Sequence, residues 1–431
     1  MQFNYKNTAG ISAQDLSATT KRLASYLRTL QSASQDRSYS TDETSLAAPH
    51  DAAVRKRVKA VCRDVCSSKT VEVMVVGIGG SSLGTRAVYD ALKPKGVALS
   101  FFDTVYVPDL QNAARRIRDT FKQKREIVIN VVSKSGTTNE TVANARVLID
   151  ALKRARKKDW QRFMVVTTEP GSLLDQWASE QGIHSLPNPP HVGGRYSVMS
   201  AVGLFPLQCA GVDIDELHKG ARRAQKKCLF GKPTENYALQ SAAMLYRAMK
   251  KGKIIENLFI FNPGLEEVGK WYRQLLAESL GKEHDARGRE VHAGLTPIVS
   301  VGSVDLHSTA QLYLGGPDDK CTTFVWLSSG QDVRIPNVDA RLAALVPELK
   351  RKTINELMEA IYEGTKGSYK KRGLLFAEAV LPELSEAALG EFLQFKMIQT
   401  MLLGKLMGVN AFDQPNVEEY KKITRRILSR S

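Results

Sequence analysis

The apolar run from Ile127 to Val132 ends abruptly in Ser133-Lys134-Ser135-Gly136-Thr137-Thr138. A short apolar run without alternation describes a strand buried on both faces, as in a parallel sheet. Thr137, followed three residues later by Glu140, has capping-box spacing and predicts a helix start. A strand, a hydroxyl-rich turn and a helix N-terminus together make an anion site. Backbone N–H groups and the positive end of the helix dipole face whatever sits in the turn. Ser133, Ser135, Thr137 and Thr138 add hydroxyls and Lys134 adds a charge. An ordinary capped βα turn has the same residues, so this stretch alone leaves both readings open.

A second loop of the same kind narrows the choice. Val73 to Val76 is again apolar and runs into Gly77-Ile78-Gly79-Gly80-Ser81-Ser82-Leu83-Gly84. Glycines let backbone approach a ligand closely, and Ser81 and Ser82 are candidate helix caps. No Lys-Ser/Thr follows the last glycine, so this is no P-loop. The G-x-G-x-x-G spacing and a ribose-binding acid are also lacking. The loop therefore reads as a phosphate or sugar-phosphate loop rather than a nucleotide loop.

At 431 residues the chain is too long for one ordinary core. No apolar run is long enough to span a membrane, and residues 1–6 lack a signal-peptide core, so a cytoplasmic location is expected. Five cysteines complete no zinc spacing, and Cys62 and Cys66, one helical turn apart, read as reduced packing residues. The net charge of +16 is spread over probable helix faces, without basic runs interleaved with aromatic rings. That argues against nucleic acid and for a solvated surface that attracts anions.

Residues 11–36 read as an amphipathic helix, followed by a Ser-rich, poorly structured stretch to Pro49. Strands are expected at 71–76, 104–107, 127–132 and 163–167, with helices between them. The Pro- and Gly-rich segment from Leu186 to Tyr196 is a crossing loop. A second series follows: strand 257–261, helix 265–280, strand 298–301, a helix start at 307–314 and strand 322–327. A final arm runs through 392–406 and 417–428. The layout is α/β, with parallel sheets and helices on their faces.

In helix 265–280, Gln274 and Glu278 share a face one turn apart. A carboxylate near a helix C-terminus is opposed by the dipole, which favours proton acceptance, although a surface glutamate fits as well. His307 stands alone at a strand-to-helix turn. Arg195, between Gly194 and Tyr196, has room to reach a ligand or to pair with a carboxylate. His284 and His292 read as surface residues.

Taken together, GIGGSSLG at 77–84, SKSGTTNET at 133–141, GGRYS at 193–197, QLLAESLGK at 274–282, DLHSTAQ at 305–311 and FDQPNVEEYK at 412–421 resemble the glucose-6-phosphate isomerase family, in its shorter, bacterial-type form. The resemblance implies two sugar-isomerase αβα-sandwich domains, at 51–212 and 213–409, with helical arms at 1–50 and 410–431. It implies interconversion of glucose 6-phosphate and fructose 6-phosphate by ring opening and a cis-enediol, with no cofactor and no metal. By the same resemblance, Glu278 is the base, Arg195 stabilises the enediolate, and His307 and Lys421 open the ring. Ser81, Ser133, Ser135 and Thr138 contact phosphate beside Lys134, and Gly80, Gln274 and Gln414 line the substrate. A homodimer is implied, with His307 contributed across the interface; no nucleic acid or membrane partner is implied. Asn416 stands where the family usually has glycine, which puts the aim of Lys421 in question. Two other readings stay open: a broader isomerase that also accepts mannose 6-phosphate, and a sugar-phosphate sensor without catalysis.

Overall fold

The computed structural model describes residues 1–429. In chain order, β1 (Gln2–Asn4), α1 (Ala13–Gln35) and α2 (Ala52–Val65) come first. The next series is β2 (Thr70–Val76), α3 (Leu83–Leu92), β3 (Ala98–Phe102), α4 (Val107–Lys122), β4 (Glu126–Val132), α5 (Asn139–Ala155), β5 (Met164–Thr168), α6 (Leu173–Glu180) and β6 (His184–Pro187). Three helices follow: α7 (Ala201–Cys209), α8 (Ile214–Phe230) and α9 (Tyr237–Lys250). A second series runs β7 (Ile255–Ile260), α10 (Glu266–Leu280), β8 (Lys282–His284), β9 (Glu290–Ala293), β10 (Thr296–Val301), α11 (Ala310–Gly315), β11 (Lys320–Leu327), α12 (Ala340–Leu345), α13 (Ile354–Lys371) and β12 (Phe376–Leu381). The last helices are α14 (Glu386–Met407) and α15 (Val417–Leu428).

Two five-stranded sheets result. The first has the order β3-β2-β4-β5-β6 and is parallel throughout. From β2 the chain turns to one side of the sheet through α3, and from β4 to the other through α5. The α3 residues Ala87, Val88 and Ala91 join one core, while Leu148 and Leu152 of α5 join the opposite one. The crevice outside the carboxyl ends of two such strands is where open α/β sheets bind ligands. The loops after β2 and β4 are the two that the sequence marks as phosphate loops.

The second sheet has the order β1-β12-β11-β7-β10. All of its pairs are parallel except β1 with β12. The N-terminal segment is thus more than a helical arm: its first strand is an edge of the second sheet. The expected final arm also needs correcting. α14 is buried on nearly all sides, from Ala388 to Gly404, and forms the centre of the molecule. Its apolar residues point in all directions, and its polar ones, such as Lys396 and Gln399, are buried with partners. Of that arm, α15 alone lies on the surface. The strand expected at 104–107 is found instead at Ala98–Phe102, because Val107-Pro108 opens α4. Proline is at home in the first turn of a helix. The Ser-rich stretch forms short 3-10 turns that bury Leu46 and Ala47.

A buried polar network joins α10 to this core. Tyr272 of α10 donates to Glu256 Oε2 on β7 at 2.6 Å and accepts from Gln399 Nε2 of α14 at 2.7 Å. Lys396 Nζ donates to Gln399 Oε1 at 2.9 Å and lies 3.7 Å from Glu256 Oε1. Both ions are out of contact with water. Burial raises Glu256 above the usual carboxylate range and pushes Lys396 down to about 8. Desolvation therefore outweighs the attraction between the two, and the pair fixes geometry more than it adds stability. Lys396→Met alone should cost about 3–5 kcal/mol in denaturant unfolding by stranding a buried carboxylate. Adding Glu256→Gln should recover most of the loss. A double variant no more stable than the single one would show that the pair itself is the stabilising element.

Candidate active site

A cavity of about 740 Å³ opens at the carboxyl ends of β2 and β4. Its floor is the two loops. Gly79 takes φ +60°, which lets the chain turn within the loop. Gly80 lies directly on the 193–195 turn: a Cβ there would stand 2.1 Å from the Gly194 carbonyl carbon. No side chain fits between these two backbones. Gly80, Ser81, Lys134, Ser135 and Thr138 all line the cavity.

The capping expected in these loops takes another form. The N-cap of α5 is Thr138, one residue later than the sequence spacing suggests, and Thr137 Oγ1 donates to Ser135 Oγ at 3.1 Å instead. Ser82 precedes α3 without capping it, donating weakly to Gly79 O at 3.3 Å. Backbone donors at both helix starts are thus left to face the cavity. Ser133 does not line it. It is buried, and its Oγ accepts from Gly136 N at 3.1 Å and meets Thr138 Oγ1 at 3.3 Å. Its position supports the turn from beneath.

The opposite wall comes from α10. Glu278 Oε2 accepts from Gln274 Nε2 at 2.9 Å, and its Oε1 lies 3.3 Å from Arg195 Nη1. Of the two alternatives for Arg195, the pairing with a carboxylate is the one seen, at the cavity edge. It is 2% exposed and held on every side. Nε donates to Ser279 Oγ at 2.8 Å, Nη1 to Gln414 Oε1 at 2.9 Å, and Nη2 to the Ala411 and Asp413 carbonyls at 2.9 and 3.0 Å. Only its Nη1 edge turns towards Glu278 and Gln414, which both line the cavity with it.

Lys282, which sequence reasoning passed over, belongs to the same cluster. Its Nζ donates to Glu278 O at 2.8 Å and Asp413 O at 2.7 Å. Burial, reinforced by the Arg195 cation, holds it below the usual lysine range. It satisfies a carbonyl at the end of α10, a position where a cation suits the dipole. Its only sequence signal is a basic residue just past Gly281.

α15 closes the rim with Lys421, which donates to Glu418 Oε1 at 2.7 Å. Asn416, the N-cap of this helix, has φ −67°, so the turn needs no left-handed residue and tolerates the missing glycine. Its Nδ2 donates to Glu283 Oε2 at 2.7 Å and ties the helix start to the β8–β9 hairpin. His307 is not gathered here. It ends a 3-10 turn after β10, is exposed, and is not among the residues lining the cavity. His284 and His292 lie on the surface beside Glu283 and Glu290.

The charged lining residues balance: Lys134, Arg195, Lys421 and Arg425 face Glu140, Glu169, Glu278 and Glu418. With no net formal charge on the lining, the features of the cavity that favour an anion are the N–H and O–H donors of its two loops. Gly80→Ala should push the 193–195 turn off the loop. Calorimetric binding of a sugar phosphate should weaken about tenfold or more, which is roughly 1.4 kcal/mol. Unchanged affinity would mean that the two backbones separate without cost.

The phosphoglucose isomerase family model matches residues 12–431. A glucose-6-phosphate isomerase of Thermus thermophilus is 36% identical over 360 residues, covering 83% of this chain and 84% of the relative. The enzyme of the same name from Carboxydothermus hydrogenoformans is 34% identical, over 83% of this chain and 78% of the relative. A hypothetical protein from Thermus thermophilus superposes with a TM-score of 0.90 at 32% identity, covering 99% of both chains. A glucose-6-phosphate isomerase from Chlamydia trachomatis shares the fold, with a TM-score of 0.82 at 20% identity, over 99% of this chain and 88% of that one.

Proposed function

The chain belongs to the phosphoglucose isomerase family, and on that premise we propose how its cavity performs the reaction. It interconverts glucose 6-phosphate and fructose 6-phosphate by ring opening and proton transfer through a cis-enediol. The observation that carries the residue roles is the meeting of Glu278 and Arg195, 3.3 Å apart, across a cavity from two phosphate loops.

The phosphate sits in the loops. The backbone N–H groups of Gly79, Gly80, Ser135 and Thr138, with the hydroxyls of Ser81, Ser135 and Thr138 and the Lys134 ammonium, hold its oxygens. Anchoring this remote group spends binding energy on orienting C1 and C2 against α10. Gln274 and Gln414 contact sugar hydroxyls; the buried Gln274 Oε1 has no hydrogen-bond partner among the described residues and is placed to accept one.

Glu278 takes the C2 proton of the open-chain aldose. The electron pair left behind forms the enediolate; a proton passes from O2 to O1, and the same carboxyl returns the C2 proton to C1 to give the ketose. Negative charge on oxygen in this intermediate is met by the Nη1 edge of Arg195. That charge is permanent, and its position is fixed before substrate arrives. Lys421 and His307 move the protons of ring opening. Lys421 reaches the site from α15 of the same chain. His307 reaches it from the other subunit of a homodimer, in keeping with its exposure and its distance from the lining.

Glu278→Gln should lower kcat about 10²–10⁴-fold while sugar-phosphate affinity persists. The check is conversion of fructose 6-phosphate coupled to a dehydrogenase, with binding measured separately. Equal loss of both would assign Glu278 to structure. Thr138→Ala should raise KM with little change in kcat, and an unaltered KM would take it off the phosphate.

The dimer has its own test. Inactive Glu278→Gln and His307→Gln proteins, unfolded and refolded together, should regain about a quarter of wild-type activity, because half of the mixed dimers' sites are intact. No recovery would place His307 in its own subunit's site, and a His307→Gln protein active by itself would put it outside catalysis.

A further inference from the structure

Cys62 and Cys66 gain a third member from a distant part of the chain. Cys62 lies on the last turn of α2 and Cys66 is the cap that follows it, its N–H donating to Cys62 O at 2.9 Å. Cys209 is the last residue of α7, which packs against α2. The three Sγ atoms all lie within 4.8 Å of one another. Cys209 is buried, while Cys62 and Cys66 are half-buried. None of the three lines the substrate cavity.

We propose that Cys62, Cys66 and Cys209 form a binding site for one thiophilic metal ion of the Zn(II) or Cu(I) class. Thiolates are the preferred ligands of such ions. Zinc–sulfur bonds of about 2.3 Å in a tetrahedron set the sulfurs roughly 3.8 Å apart. The observed spread needs a contraction of only about 1 Å from that value, within reach of side-chain rotation. Two ligands one helical turn apart and a third on a neighbouring helix enclose an ion on three sides. The half-buried pair leaves a path in and a fourth position for water. Both helices end at this point, so their negative dipole ends favour a cation there and oppose thiolates without one. Binding exchanges thiol protons for the metal and clips α2 to α7. Cys228 and Cys321 provide the contrast: each is buried outside this cluster.

Reduced full-length protein titrated with Cd(II) should develop thiolate-to-metal absorption that saturates at one equivalent. Zn(II) should displace it and raise the Tm further as its concentration increases. Cys62→Ser and Cys66→Ser should each weaken Cd(II) at least tenfold while isomerase turnover, which confirms the fold, is kept. Cys228→Ser with Cys321→Ser should leave binding unchanged. One equivalent of Cd(II) should also shield Cys62 and Cys66 of the wild type from alkylation, read by peptide mass, a result that needs no variant. Absence of the absorption band from fully reduced wild type, or its survival in both serine variants, would overturn the site, as would alkylation unaffected by Cd(II).

Discussion

The guanidinium of Arg195 is a cation taken almost wholly out of water, and the active-site wall is what satisfies it. A buried charge is tolerated only when its donors find partners. Here those partners are Ser279 and Glu278 on α10 and the 411–414 segment before α15. Satisfying one side chain therefore brings three remote pieces of sequence to one point. Lys282 repeats the arrangement beside it, sharing the Asp413 carbonyl with Arg195. Burial first, and then the neighbouring Arg195 cation, lower the affinity of Lys282 for its proton. What the cavity gains is a rigid positive edge beside the Glu278 carboxylate.

Charge elsewhere plays a smaller part than the +16 total suggests. Inside the cavity the formal charges cancel, so recognition rests on direction. N–H groups at the starts of α3 and α5 point to one place because the chain leaves β2 and β4 on opposite sides of the sheet. The general basicity of the surface is left to act at long range, where it draws anions in but does not sort them.

Much of this is legible in the chain because it is written in local patterns. The strands β2, β4, β5, β7, β10 and β11 announce themselves as apolar runs, and the loops after β2 and β4 by their glycines and hydroxyls. Other features depend on partners far away. Three residues of β1 have no periodicity, and only β12 makes them a strand. α14 reads as an arm in the sequence because its apolar residues point in all directions and its Glu391, Lys396 and Gln399 look like surface positions, so no single stripe shows where it docks. The capping spacing at Thr137 and Glu140 is present, but the turn uses Thr137 on Ser135 and starts the helix later. Nothing around Cys209 hints that two other thiols wait for it. Lys282 and the 411–414 carbonyls matter only once Arg195 is buried among them.

The contact between Gly80 and Gly194 carries a mechanical consequence. Most couplings in a protein pass through side chains, and each rotatable bond along the way absorbs part of a push. Here backbone rests on backbone, so the path from the phosphate loop to the turn that carries Arg195 has almost no slack. The joint is a stiff link between the two-loop floor of the cavity and its arginine wall.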